Sequence, residues 1–141
     1  MKTYRTARVL ISEIGQALAK KAPPANYSPL EKVVELLCHG RHYTWVGIYL
    51  TAGSNSAKSL LGAGGEPHPA QITLPGTQSK LLISMKLAGR EIGILSAESD
   101  RQYAFGSVDR VLLERTAAIL ALFLTGKGKY IVQKARTAVA A

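Results

Sequence analysis

Cys38 and His39 are the pair of side chains in this sequence best suited to nucleophilic chemistry, a thiol beside an imidazole. A cysteine reacts as its thiolate, which a neighbouring base or positive charge stabilises. Both residues fall in the last turn of a predicted helix, where consecutive side chains point in different directions. No third group that would orient the imidazole is evident. We therefore interpret Cys38 as a small buried apolar residue rather than a catalytic one.

His68 is the other histidine that invites a chemical interpretation, because it stands in a loop between Pro67 and Pro69. A metal site needs several ligands at characteristic spacings, and no second ligand accompanies this histidine. Motifs for zinc, calcium or a phosphate-binding loop do not occur in the sequence. We expect a solvated histidine, no metal site and no cofactor.

An aromatic strand offers the best candidate for ligand binding. Residues 42–51, HYTWVGIYLT, have strand composition, and Trp45, Gly47 and Tyr49 share one face of it. Gly47 leaves a gap between two large rings, which either a ligand or a crossing segment of the chain can fill. The other face of the strand is aliphatic and consists of Val46, Ile48 and Leu50.

A hairpin predicted over residues 79–100 would position this strand. Two apolar runs flank Ala88-Gly89-Arg90, a short connection that contains glycine. Apolar residues occur on both faces of each run, so we expect both strands to be covered on both sides, as at the centre of a sheet.

Helices supply the covering elements. Ser28, Pro29 and Glu31 form a capping-box pattern that predicts a helix start, with a stop at Gly40. A helix is also predicted over residues 3–21, and Ser107 is the expected cap of a long last helix. The first and last helices carry matching apolar stripes, so we predict that they pack together and offer a strip to a second copy of the chain. The candidate interface residues are Tyr4, Ile11, Leu18, Leu113, Leu120 and Leu124.

Composition sets wider limits. The 141 residues, 47% of them hydrophobic, suit one domain over residues 1–125, with its core at 28–125 and a basic tail at 126–141. The single cysteine excludes an internal disulfide, and with no predicted membrane span or signal peptide the expected location is the cytoplasm. The formal charge of +9 is spread along the chain. Basic and aromatic residues do not interleave, so nucleic-acid binding is not favoured.

The order of elements and three stretches, TWVGIYL at 44–50, ITLP at 72–75 and SKLLISMKLAGREIGILSAESDRQYAF at 79–105, resemble a GAF domain over roughly residues 30–124. The first of these stretches is similar to the branch that contains the free methionine-R-sulfoxide reductases. The resemblance implies an α+β, PAS-like fold with an antiparallel sheet of about five to six strands and the terminal helices packed on one face. It also implies a small-molecule pocket on the other face.

Carried over residue by residue, the resemblance is partial. Trp45 and Tyr49 stand where the pocket aromatics would be, and Glu98 stands where the last carboxylate would be. Lys80 and Ser96 occupy positions of two further acids, and with Gly47 they complete the candidate pocket. The segment that closes the pocket is short here and lacks the cysteines with which the reductases act.

The expected function is therefore that of a non-catalytic GAF-like module for signalling, regulatory interaction or dimerisation, with a reduced small-molecule pocket. Its expected partners are a second copy through the terminal helices, a small molecule or another protein. Two alternatives stay open: a GAF domain that senses a nucleotide or metabolite, and a relative of the methionine sulfoxide reductases. The missing cysteines disfavour the enzyme, since sulfoxide reduction needs a thiolate and usually a resolving thiol.

Overall fold

The computed structural model describes residues 4–19, 28–52, 57–65 and 76–140. Within these ranges four helices and four strands follow one another. Their bounds are α1 (Ala7–Ala19), α2 (Pro29–Gly40), β1 (Trp45–Ala52), β2 (Ala57–Gly65), β3 (Ser79–Leu87), β4 (Arg90–Ser99), α3 (Ser107–Thr125) and α4 (Lys129–Ala140). In this part of the chain no helix combines the length and apolar character that a membrane span requires.

The strands form one antiparallel sheet in the order β2-β1-β4-β3, so the predicted α+β class is confirmed. The predicted hairpin is present as β3 and β4, and its turn residues Ala88 and Gly89 both have positive φ, 51° and 79°. Four strands is fewer than the five to six expected. The stretch ITLP at 72–75, which contributes to the resemblance, lies outside the described residues.

Among the described strands, β4 is central, between β1 and β3, and β3 lies at the end of the sheet. The expected central position is therefore confirmed for β4 and stays a prediction for β3, since residues 66–75, which come before β3 in the chain, lie outside the described residues. Leu82 of β3 is 56% exposed on the side away from the core, while Ile83 and Met85 are buried.

The core lies on one face of the sheet. Alternate residues of β1 and β4 point to it because side chains alternate along a strand. α2 and α3 lie against the sheet, and α1 packs on both helices, as predicted for the first and last helices. The core side chains include Leu10, Ile14, Val33, Leu37, Val46, Ile48, Leu50, Leu95, Ala97, Leu113 and Leu120.

The helix ends agree with the sequence pattern in one case and differ in another. Ser28 Oγ accepts a hydrogen bond from the Glu31 N–H at 3.3 Å, as the capping box predicts. α3 is capped at Gly106 rather than at Ser107, which is its first helical residue. The reason is that Asp109 Oδ2 accepts the Gly106 N–H at 3.3 Å. α1 begins at Ala7, later than the predicted residue 3.

Most of the proposed interface residues are unavailable to a second copy, so this prediction needs correction. Leu18, Leu113, Leu120 and Leu124 are buried inside the chain, because α1, α3 and the sheet share one core. Ile11 is partly buried and packs on that core, and Tyr4 is half-exposed. Beyond α3, the basic tail contains the helix α4, whose Val132 joins the core.

Candidate functional site

All six candidate pocket residues lie on the sheet face away from the helices. Trp45 pairs with Glu98, and Glu98 pairs with Lys80, so the three form one cross-strand row. Gly47 pairs with Ser96 in the neighbouring row. Since cross-strand partners point to the same side, these residues and Tyr49 share what we call the outer face. The outer face consists of Trp45, Gly47, Tyr49, Lys80, Ser96 and Glu98.

The gap above Gly47 is filled by the Trp45 indole. A Cβ placed on Gly47 would lie 2.2 Å from Trp45 Cη2, so a side chain at this position is incompatible with the present ring position. The indole is only 4% exposed, and its centroid lies 6.3 Å from the Tyr49 ring at an interplanar angle of 48°. The two aromatic rings thus lie next to each other along β1. This arrangement requires glycine at position 47, because a larger residue would clash with the indole.

Glu98 is completely buried beside this aromatic pair. Its Oε1 accepts a hydrogen bond from Thr77 Oγ1 at 2.8 Å, and its backbone carbonyl accepts the Thr44 N–H at 2.8 Å. These contacts hold the side chain and the main chain at the end of β4. A carboxylate in this position is costly to bury, so it is retained only where its oxygens are hydrogen-bonded.

Tyr49 is influenced by that carboxylate. Burial raises the pKa of the Tyr49 hydroxyl, and the charge of Glu98 raises it further. The phenol therefore stays neutral and keeps its O–H as a donor over the whole physiological range. The phenol ring and the Trp45 indole together provide apolar ring faces, and the Tyr49 hydroxyl adds one polar atom.

Ser96 and Lys80 differ in their surroundings. Ser96 is buried in the middle of β4, between Gly47 and Leu82 in the register. Lys80 is exposed on β3. The outer face is thus a buried aromatic and acidic surface with a cation at its rim. Aromatic rings and a carboxylate can together recognise a cationic group or a hydrogen-bond donor.

The chain's thiol is not part of this surface. Cys38 lies on α2, which covers the opposite side of the sheet, and its side chain is buried. Its Sγ donates to the Gly64 carbonyl at 3.6 Å, on the side of β2 that faces α2. The structure therefore does not bring Cys38 together with Trp45 or Tyr49.

A second polar cluster was not predicted from the sequence. Asp109 Oδ1 accepts hydrogen bonds from the Tyr43 hydroxyl at 2.7 Å and from Arg41 Nη2 at 2.8 Å. This cluster joins the α2–β1 connection to the first turn of α3. Burial alone would raise the pKa of Asp109, but the hydrogen bonds from Tyr43 and Arg41 outweigh it and lower the pKa. Burial, with the Asp109 contacts, raises the pKa of Tyr43 far above its ordinary value.

The described residues contain no group of three or more histidine, cysteine, aspartate or glutamate side chains arranged to hold a metal ion. His68, the histidine considered for such a role, lies outside the described residues. The short segment that would close the predicted pocket runs from Leu74 to Ser79; its residues 74–75 also lie outside the described residues, whereas 76–78 are described.

Comparison with solved structures shows the fold. A free methionine-R-sulfoxide reductase from Neisseria meningitidis, solved with its substrate, superposes with a TM-score of 0.73 at 18% identity, over 92% of this chain and 99% of that one. The GAF domain of a phosphoenolpyruvate-protein phosphotransferase from Coxiella burnetii gives 0.71 at 16% identity, over 88% and 97%. A type II reductase from Thermoplasma acidophilum gives 0.60 at 18% identity, over 82% and 94%. No protein-family profile and no curated sequence matches the chain.

Proposed function

We propose that this chain, which has the GAF fold, is a non-catalytic module that binds a small molecule on the outer face of its sheet. The observation that carries the proposal is the cross-strand row in which the buried Glu98 carboxylate lies beside Trp45. A buried carboxylate contributes little net stability to the fold. Ligand binding would explain why one is present here. Binding sites combine an apolar aromatic lining with a few fixed polar groups, and this surface has that composition.

The ligand class follows from the polar groups. Glu98 is a buried carboxylate held by Thr77, and the rings of Trp45 and Tyr49 lie on the same face. This combination favours a metabolite with an amine or another strong donor over a phosphate-rich nucleotide, because a second negative charge beside Glu98 would be repelled. Lys80, on the exposed rim, is the one outer-face cation that an acidic group of such a ligand would meet.

The position of the thiol supports a non-catalytic role. The solved structures similar to this chain include reductases, which the resemblance associates with cysteines around the substrate. Here Cys38 is buried on the other side of the sheet, and one thiol cannot form the intramolecular disulfide that resolves a sulfenic acid. Cys38→Ala should therefore leave ligand binding unchanged.

The test is a thermal-melting screen against free amino acids, their sulfoxides, amines and nucleotides. A ligand that binds the native state raises the melting temperature, and Trp45, the chain's single tryptophan, should report the same event by fluorescence. Glu98→Gln should remove the shift. Glu91→Gln is the matched control, since Glu91 is an exposed carboxylate on the same strand.

Two results would contradict the proposal. One is a shift that survives Glu98→Gln and Trp45→Phe, because the ligand would then bind elsewhere. The other is turnover of a methionine sulfoxide that Cys38→Ala abolishes, because the chain would then be an enzyme. Trp45→Phe is preferred to Trp45→Ala, since it keeps an aromatic ring on the face and limits the loss of packing.

Self-association is a second candidate function, favoured by an exposed apolar stripe on α3. Val108, Val111 and Leu122 are about half-exposed or more and repeat at helical spacing, away from the core side of the helix. Val9 adds an exposed apolar residue on the neighbouring α1. A second copy that packs the same stripe would cover it symmetrically. This revises the predicted dimer interface from the inner to the outer sides of the same two helices.

A further inference from the structure

Four apolar side chains lie side by side on the outer face, on the half of the sheet toward the hairpin turn. Leu60 of β2 pairs with Tyr49 of β1, and Tyr49 pairs with Ile94 of β4. Leu82 of β3 lies diagonally next to Ile94, because it pairs with Ser96 two residues along β4. We call Leu60, Tyr49, Ile94 and Leu82 the apolar strip.

The two leucines of the apolar strip are open to solvent. Leu60 is 53% exposed and Leu82 is 56% exposed, while Tyr49 and Ile94 between them are partly exposed. A solvated face of an antiparallel sheet normally carries polar residues. Directly opposed side chains lie about 5 Å apart and diagonal ones about 7–8 Å apart, so the strip is one continuous surface. Contiguous exposed apolar side chains of this kind mark a binding surface, whereas scattered ones do not.

A hydrogen-bonded acid bounds the apolar strip on the side of the hairpin turn. Glu91 Oε1 accepts a hydrogen bond from Ser84 Oγ at 2.6 Å, and Glu91 Oε2 accepts one from Thr51 Oγ1 at 3.3 Å. Both carboxylate oxygens are therefore already used by donors from the neighbouring strands β3 and β1. The apolar surface ends there, which limits the length of any apolar group that the strip can cover.

On its other side the apolar strip joins the surface to which we assign the ligand. The Tyr49 ring belongs to both, and its centroid lies 6.3 Å from that of Trp45. Glu98 precedes the strip on the same strand, four residues after Ile94 in the chain, which corresponds to about 13 Å at the usual rise of a strand. A ligand with its polar group at the Glu98 end would therefore reach the strip with a chain of about that length.

We propose that the ligand of the outer face is an amphiphilic amine, whose ammonium group lies at the Glu98 end and whose aliphatic chain runs over Tyr49 onto the apolar strip. The inference rests on the proposed function, because it names the ligand class of the same site. A carboxylate beside aromatic rings favours a cation. A small polar metabolite would leave Leu60 and Leu82 in water, whereas an aliphatic chain would cover them, and burial of apolar surface favours binding.

The experiment measures the affinity of the full chain for primary amines from butylamine to decylamine, by isothermal titration calorimetry below the concentration at which each amine aggregates. Affinity should rise at least two-fold with each added methylene, where a fully buried methylene would give about four-fold. Decanol and decanoate keep the chain and change the head group. Both should bind at least ten-fold more weakly than decylamine, because neither brings a positive charge to Glu98.

Variants of β3 test whether the chain of the amine lies on the apolar strip. Leu82→Asn should weaken decylamine binding at least five-fold, because it removes apolar surface at an exposed position. Leu87→Asn is the matched control, since Leu87 is 37% exposed on the same strand but lies beside the hairpin turn, outside the strip. It should change the affinity less than two-fold. Thermal melting of both variants without ligand checks that the fold is intact.

Methyl groups labelled with ¹³C locate the bound chain directly. The methyl signals of Leu60, Leu82 and Ile94 should shift on addition of decylamine and stay in place on addition of butylamine. Methyl shifts confined to the helices would overturn the inference, because the helices cover the other face of the sheet.

Three further results would overturn the inference. The first is equal affinity for butylamine and decylamine with binding still lost in Glu98→Gln; the proposed function would then stand without an apolar chain. The second is that none of these amines binds at millimolar concentration, in which case the wider melting screen decides the proposed function separately. The third is a change of the Leu60 and Leu82 methyl signals when the protein alone is diluted, because a second copy would then cover the strip.

Discussion

The Tyr43 hydroxyl donates a hydrogen bond of 2.7 Å to the Asp109 carboxylate, and both residues are buried. The contact joins the residues that lead into β1 with the first turn of α3. Arg41 binds the same oxygen, so one carboxylate carries a hydroxyl and a guanidinium. The start of the aromatic strand and the first turn of α3 are thereby anchored to one carboxylate.

Tyr43→Phe should lower the free energy of unfolding by about 1.5–3 kcal/mol, the range for hydrogen bonds to charged groups. The variant keeps the ring and its stacking on Phe105 and removes only the donor. Urea denaturation followed by circular dichroism measures the change. Tyr103→Phe is the matched control, and because that ring is exposed it should leave the midpoint unchanged. An equal effect of the two variants would contradict the role given to Tyr43.

Asp109 should make stability depend on pH at the acid end. Its pKa in the folded chain is below the ordinary value, so its contribution is present above about pH 4, near the unfolded pKa. That contribution is lost as pH falls from there through the folded pKa. Asp109→Asn should therefore destabilise the protein at neutral pH and flatten the loss of stability below pH 4. Denaturant unfolding at several pH values tests this. If the free energy of unfolding fell equally steeply below pH 4 in the variant and the wild type, the role given to Asp109 would be contradicted.

Gly47→Ala should destabilise the chain by about 1–3 kcal/mol, the usual cost of overpacking, and move the indole. The new Cβ would lie 2.2 Å from Trp45 Cη2. Because Trp45 is the single tryptophan, its emission should shift to the red if the ring becomes exposed. Gly15→Ala, in the middle of α1, is the control. No atom lies within 4 Å of its added Cβ, so helix propensity should stabilise it by up to about 1 kcal/mol.

The alternation of side chains along a strand explains how much of the site can be predicted from the sequence. Alternation within 45–50 is sufficient to divide β1 into an aliphatic face and an aromatic face, and the burial of Val46, Ile48 and Leu50 agrees with it. The hairpin and the cap at Ser28 are equally local patterns. That the outer-face residues bind a ligand stays a prediction, because their position on one face does not show that a ligand binds there.

Contacts between distant parts of the chain are what the sequence alone did not reveal. Tyr43 and Asp109 are 66 residues apart, and nothing in their local patterns indicates that they meet. The position of β3 at the end of the described sheet depends on strand order, which no single hairpin determines. The sequence also does not distinguish the buried side of α3 from its exposed side, because the helix is apolar almost all round from Ala117 to Leu124.

Leu122 and Leu120 provide a direct test of the revised interface. Leu122 is 64% exposed, whereas Leu120 is completely buried. Leu122→Glu should shift the mass measured by light scattering from dimer to monomer with little change in melting temperature. Leu120→Glu should instead unfold the chain, because a carboxylate would be buried without a partner. A wild-type monomer at high concentration, or a dimer that persists in Leu122→Glu, would contradict self-association through this stripe.

The paired rows of the sheet also decide where the chain tolerates insertions and deletions. Removing one residue from the middle of β1 would turn Trp45 or Tyr49 toward the helices and an aliphatic neighbour toward the outer face, because the side-chain period is two. β4 has the same restriction, since it holds both Ser96 and Glu98. Length variation among relatives of this chain should therefore collect in the connection between β2 and β3 and at the ends, while β1 and β4 change by substitution alone.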